Sequence, residues 1–373
     1  PYLSRGLGDV YKRQVYKPNN NSLQKAKGNK FFEDLKERDV LLHHPYNDFK
    51  IVTNFLKLAV FDKNTVAIKQ TIYRTSLDSE IIKLLIKAAK RNIAVTVVIE
   101  LRAKFDEENN IKIAKKLEDV GVQVTYGIRK YKTHAKALLI VRKENNQLVN
   151  YFHLATGNYN SKTASLYTDF GLISSNKQIG HDIHKFFLQL TGSNKDMKYK
   201  HLFLSPLNSY KKIFKFISNE INNKKNGKDA FIRAKMNQLT ERKIISKLYE
   251  ASKAGVKIEL FVRGECILMP GIKGLSENIK VYSTIGRYLE HSRAFFFCNN
   301  NNPKLYLSSA DLMTRNIHNR VEIFFPIINK EHRERICFEA FDLQKTDNFK
   351  LWKLDSTGTV SYTHLTLPTK WWV

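Results

Sequence analysis

Residues Ile81 to Glu100 (IIKLLIKAAKRNIAVTVVIE) and Ile244 to Val262 (IISKLYEASKAGVKIELFV) carry one pattern twice. In the first copy, Ile81 to Lys90 spaces its apolar residues along one helix face, and Ala94 to Glu100 follows as a buried strand. In the second, Ile244 to Lys253 precedes Val256 to Val262 in the same order and at nearly the same spacing. Such a recurrence marks an internal duplication. The register holds further along, where Gly121 to Tyr126 (GVQVTY) corresponds to Asn278 to Ser283 (NIKVYS). Each copy then reaches a His-x-basic triplet, His134-Ala135-Lys136 or His291-Ser292-Arg293, which opens an apolar strand at Ala137 or Ala294. Strands alternating with helices predict an α/β protein of two related domains, each a mixed, largely parallel sheet flanked by helices. Two such halves facing each other would bring both histidines into one cleft.

Composition limits the partners. The chain has 373 residues, 42% of them hydrophobic, enough for two domains with their own cores. No run of about 18 apolar residues occurs, which argues against a membrane span. Cys266, Cys298 and Cys337 are odd in number and widely spaced, so neither a disulfide framework nor a zinc site is expected, and a reducing cytoplasm is the natural setting. The formal charge of +28, from 63 Lys and Arg against 35 Asp and Glu, favours a polyanionic partner. Charge does not choose among nucleic acid, anionic lipid and polyphosphate.

A lone His-x-Lys is worthless as evidence, but two copies at equivalent places in a repeat are not. On a strand, residues two apart point to the same face, so each imidazole shares its face with a cation, Lys136 or Arg293. A neutral imidazole nitrogen can attack phosphorus while cations offset charge on the equatorial oxygens, and a second imidazole can protonate or orient the leaving group. Small polar turns follow, Gly157 to Asn160 in one copy and Ser308 to Asp311 in the other, able to present donors to phosphate.

This pairing resembles the phospholipase D superfamily. Its hydrolytic members carry an Asp five residues after the Lys, whereas Val141 and Cys298 stand there. Longer strings resemble polyphosphate kinases of the first type: His43 to Tyr46 (HHPY), Ala67 to Thr75 (AIKQTIYRT), Phe105 to Ile111, Lys132 to Lys136 (KTHAK), Thr156 to Asn160 (TGNYN), Leu166 to Asp169 (LYTD), Gly274 to Asn278 and Leu289 to Arg293 (LEHSR). The match runs from about Leu41 to Thr357 and corresponds to the catalytic C-terminal half of that family.

The resemblance implies reversible transfer of the ATP terminal phosphate to polyphosphate through phosphorylated His134. It gives His291, Tyr167 and Arg263 as ATP contacts, and Lys136, Arg293 and Asn160 as phosphate contacts. Arg74 and Lys104 match positions described as a magnesium site. Neither side chain offers an oxygen ligand, so both are expected to touch phosphate near Mg2+. Lys104 stands where the family has Arg, and Glu265 departs from a usually apolar residue beside Arg263. ATP or ADP and inorganic polyphosphate are the expected partners, without nucleic acid, in a cytoplasmic protein with peripheral membrane contact and a homo-oligomeric full-length form. The expected domains are 17–200 and 201–357, with 1–16 and 358–373 read as non-native flanks and the family's N-terminal domains missing. Two other readings stay open, a phospholipase D-like phosphodiesterase or nuclease and an inactive polyanion-binding fragment. The sequence leaves undecided the activity of this fragment alone, the direction of reaction and the product length.

Overall fold

The computed structural model describes residues 28–101, 107–128, 130–192, 197–346 and 350–362. Lys104 and the outermost segments 1–27 and 363–373 lie outside them. The first half runs α1 (Asn29–Glu37), β1 (Val40–His44), α2 (Lys50–Phe61), β2 (Thr65–Ile72), α3 (Glu80–Ala89), β3 (Ala94–Ile99), α4 (Glu107–Glu118) and β4 (Gln123–Thr125). It continues through β5 (Lys132–Thr133), β6 (Lys136–Glu144), β7 (Gln147–Ala155), α5 (Ser161–Ala164), β8 (Tyr167–Ser174) and α6 (Lys177–Leu190). The second half runs β9 (Phe203–Ser205), α7 (Ser209–Lys225), β10 (Phe231–Met236), α8 (Arg242–Lys253), β11 (Lys257–Val262), β12 (Ile279–Thr284), β13 (Leu289–Glu290) and β14 (Ala294–Phe297). It ends with β15 (Lys304–Ser308), α9 (Thr314–His318), β16 (Arg320–Pro326), α10 (Lys330–Cys337), β17 (Leu351–Leu354) and β18 (Val360–Tyr362).

The duplicated helices form for the reason their sequences suggest. α3 buries Ile81, Ile82, Leu84, Leu85 and Ala88, and Ser79 caps its start by accepting from the Ile82 N–H at 3.3 Å. α8 buries Ile244, Ile245, Leu248 and Ala251 on the matching face. Both are followed by a left-handed residue at the same repeat position, Asn92 (φ 61°) and Gly255 (φ 85°), which turns the chain into the next strand.

The sheets are mixed, but the expected predominance of parallel pairing is corrected by the structure. Their orders are β1-β8-β7-β6-β2-β3-β4 and β18-β17-β12-β11-β10-β14-β15-β16-β5, with β9 also on β16. Among the described strands of each half, β2-β3-β4 and β10-β11-β12 run parallel and the other pairings are antiparallel. The strands after each histidine return by hairpins, and short connections permit only antiparallel neighbours. Between β6 and β7, Asn145 (φ 47°) and Asn146 (φ 63°) supply the two positive φ values of a tight hairpin turn.

Two very short strands cross between the halves. β5 pairs in parallel with β16 of the second half, and β13 pairs in parallel with β8 of the first. One hydrophobic cluster is likewise shared: Leu139, Phe152, Phe170 and Phe187 pack with Phe261, Leu307, Ile323 and Phe325. Each half also has its own cluster beneath its helices. The segment joining the halves is tied down by buried Asp182, which accepts from the N–H groups of Lys200, His201 and Leu202. Among the described residues no helix is long and apolar enough to cross a membrane.

Candidate active site

Each histidine follows a crossing strand, so the opposite half fixes its backbone. His134 and Ala135 donate their N–H groups to the Val321 carbonyl at 2.9 and 3.0 Å. The His291 N–H donates to Thr168 Oγ1 at 3.3 Å. The side chains repeat the exchange. His134 Nδ1 lies 2.9 and 3.0 Å from the Glu322 carboxylate of the second half, and His291 Nδ1 lies 2.9 Å from both oxygens of Asp169 in the first. A carboxylate on Nδ1 keeps the proton there and leaves Nε2 with its lone pair. The carboxylates are held in turn, Glu322 by Ser309 Oγ (2.5 Å) and Asn316 Nδ2 (2.7 Å), and Asp169 by Thr156 Oγ1 (2.6 Å).

Burial governs the protonation of this group. It pushes His134 down to about 3, against the opposing pull of Glu322, and lowers His291 despite Asp169. Both imidazoles are neutral near pH 7. Burial alone would raise the two acids, yet the facing histidines and cations hold both below the usual carboxylate range.

The cations sit beside the rings. Lys136 is 1% exposed, and burial drives it well below its ordinary value, so an arriving anion would restore its full charge. The charges that act on it include Glu322, Arg293 and Asp169, so it feels both carboxylates. Arg293 is held by Asp311 through Nε (3.1 Å) and Nη2 (3.0 Å), and its Nη1 reaches His291 Nε2 at 3.1 Å. Tyr73 meets the His134 ring edge-to-face at 4.8 Å, and Tyr167 lies 5.2 Å from the His291 ring.

The structure thus gathers His134, His291, Lys136, Arg293 and Tyr167. Arg263 joins them through Asn237, whose Oδ1 accepts from Arg263 Nε at 3.1 Å while its N–H donates to Asp311. Arg263 also borders a cavity of about 450 Å³ walled by Tyr282 and Trp352. Asn160 is engaged elsewhere: its Oδ1 caps α5, and its Nδ2 donates to the Arg74 carbonyl. Arg74 is exposed with φ 55°, and Glu265 is exposed. A guanidinium has no oxygen for magnesium, and among the described residues no three His, Cys, Asp or Glu side chains gather as a metal site. Arg74 therefore does not suit a metal ligand.

Sequence reasoning missed Asp169 and Glu322 as partners of the histidines. It sought an acid five residues past each cation, where Val141 and Cys298 stand. The acids instead occupy matching places in β8 and β16, each after a small polar turn carrying Thr156 or Ser309. That correspondence was the available signal.

Comparison with known proteins agrees with the geometry. The family described as polyphosphate kinase C-terminal domain 1 matches residues 30–196, and polyphosphate kinase C-terminal domain 2 matches 202–370. A polyphosphate kinase of Xylella fastidiosa is 49% identical over 327 residues, 88% of this chain and 47% of the relative. One of Bacillus cereus is 48% identical over 331 residues, 89% of this chain and 47% of that protein. The chain spans about half the length of these curated relatives. Among solved structures, polyphosphate kinase from Porphyromonas gingivalis superposes with a TM-score of 0.87 at 33% identity, covering 95% of this chain and 54% of that one. A phosphatidylserine synthase from Haemophilus influenzae shares the fold at a TM-score of 0.53 and 10% identity, over 85% of this chain and 88% of that one.

Proposed function

The chain belongs to the polyphosphate kinase family, and on that premise we propose that it is the phosphoryl-transfer half of an ATP:polyphosphate phosphotransferase acting through His134. The exchange of carboxylates between the halves is the observation that carries this reading. Each imidazole has its Nδ1 proton held by an acid of the opposite half, which leaves both Nε2 atoms as acceptors.

In the forward reaction His134 Nε2 attacks the terminal phosphorus of ATP. The N–P bond forms as the bond from phosphorus to the ADP oxygen breaks. Positive charge growing on the imidazole is met by Glu322, which keeps the Nδ1 proton. Lys136 and Arg293 oppose the charge on the transferring phosphoryl oxygens. In the second step a terminal oxygen of polyphosphate attacks the phosphohistidine and releases Nε2, with His291, oriented by Asp169, beside the entering oxygen. A P–N bond retains high transfer potential, so the reverse synthesis of ATP follows the same path. Arg263 and Tyr167 serve as nucleotide contacts, and magnesium, when bound, would accompany the nucleotide and offset the charge of its phosphates. The full-length protein is expected to be a cytoplasmic homo-oligomer with peripheral membrane contact.

Incubation with ATP labelled at its terminal phosphate tests the assignment. Acid-labile, base-stable label should appear on the protein and vanish in His134→Ala. Label retained by that variant refutes the role of His134. Phosphodiester hydrolysis without labelled protein would favour the phospholipase D-like alternative.

A further inference from the structure

Beside Asp169 lies a small cavity with about 10 Å³ of room for the centre of a water-sized sphere. That is the space of one water molecule. Its walls include His44, His153, Asn158 and Asp169. His44 and Asp169 are direct cross-strand partners on β1 and β8, so their side chains share a face.

The polar side-chain atoms around this cavity include His44 Nε2, His153 Nε2, Asn158 Oδ1 and the Asp169 carboxylate. His44 Nδ1 donates to the Asn47 carbonyl at 2.7 Å, which leaves Nε2 as a bare lone pair. The Tyr159 hydroxyl lies 3.0 Å from His153 Nδ1 and 3.2 Å from the His153 carbonyl, and its one proton serves either. Among the described residues His44 Nε2, His153 Nε2 and Asn158 Oδ1 are buried without a hydrogen-bond partner. His44 is 4% exposed and His153 1%. Leaving such atoms unpaired is expensive, and His44 Nε2, an acceptor with no partner among the described residues, calls for a donor from outside the chain.

The duplicated half shows what is missing. There Glu322 takes the place of Asp169 and receives two donors besides His134, Ser309 Oγ and Asn316 Nδ2. Asp169 receives Thr156 Oγ1 and His291, with no counterpart of Asn316 among the described residues. The space is filled differently as well. Phe324 stands where the first half has Gly171, fully buried and stacked on Phe203 at 4.5 Å, and Ser205 stands where the first half has His44. A side chain at Gly171 would put its Cβ 2.6 Å from His153 Nε2.

We propose that one buried water occupies this cavity, donating to Asp169 and to His44 Nε2, and that His44 is thereby a positioning residue for the Asp169–His291 pair. The water supplies the donor that Asn316 gives to Glu322. Its catalytic consequence rests on the phosphotransferase reading, whereas its presence does not.

Two measurements test this on the chain as it stands. A crystal structure with ordered internal solvent should show a water about 2.6–3.2 Å from both His44 Nε2 and an Asp169 oxygen. A cavity without density, or a peak bonded to neither atom, overturns the proposal whether or not any variant folds. In kinetics, His44→Leu should lower polyphosphate synthesis about five- to tenfold, as expected for one lost hydrogen bond to a charged group, with KM for ATP unchanged. His44→Gln, which keeps an acceptor, should restore most of the rate. Wild-type turnover by His44→Leu would remove the positioning role. A wild-type chain that neither labels nor turns over would defeat the phosphotransferase reading while leaving the crystallographic result to judge the water.

Discussion

Glu322 shows why residue-level reading found half of this site. The histidines were legible because duplication set His134 and His291 at matching positions, each two residues before a cation. Their carboxylate partners were not, because each is contributed by the other half and no local spacing joins 134 to 322 or 291 to 169. The roles differ in kind, so substitutions should separate them. In Glu322→Gln an amide faces His134 Nδ1 and can donate to it, which moves the ring proton to Nε2 and removes the attacking lone pair. Phosphoenzyme formation should slow by about 10- to 100-fold, as when an outer hydrogen-bond partner of a functional imidazole is lost. Rapid-quench labelling measures that rate, and wild-type labelling would show that Glu322 does not set the tautomer. Asp169→Asn should leave His134 its attacking lone pair yet slow both labelling and transfer to polyphosphate, since its partner His291 stands beside the oxygen that leaves in one step and enters in the other.

At the scale of elements, the duplicated helices and the strands after them were visible in apolar periodicity, and α3, β3, α8 and β11 fall where that pattern put them. The antiparallel returns were less visible. Their signal was the paired asparagines at 145 and 146 and the run Asn299 to Asn301, all with positive φ, a conformation that asparagine tolerates better than most residues. The crossing strands β5 and β13 could not be foreseen, since two residues carry no periodicity and their pairing partners lie more than a hundred positions away in sequence. They position the chemistry all the same. Thr168 anchors β13 twice, donating to Glu290 Oε2 at 3.0 Å and accepting from the His291 N–H at 3.3 Å. Thr168→Val keeps the shape and removes both bonds, at about 1–3 kcal/mol for the buried groups left behind. Thermal unfolding should shift down by several degrees and transfer to polyphosphate should slow, whereas a loss of stability with unchanged transfer would mean that β13 only braces the fold.

Across the whole molecule the two halves should unfold together, and acid should reveal it. Among the features that join them are the shared apolar cluster, the two crossing strands and the two histidine–carboxylate pairs. Burying the shared cluster is worth roughly 1.5–3 kcal/mol for each large side chain, so separating the halves would expose more apolar area than either could afford alone. Calorimetry near pH 7 should therefore give a single transition. Lowering the pH acts on the same interface. Burial depresses His43, His44, His134, His153 and His291, with His134 and His153 down to about 3. These groups stay neutral in the folded chain and take up protons near 6.5 once it unfolds, so the unfolded state binds more protons below that pH. Stability is fully present above about 6.5 and is lost as the pH falls toward 3, and protonation of Asp169 and Glu322, both depressed, adds to the loss at the acid end. The melting temperature should decline steadily below pH 6.5 while the transition stays single. A melting temperature that holds level down to pH 4, or two transitions separating on acidification, would mean that the buried imidazoles and the shared interface do not act together.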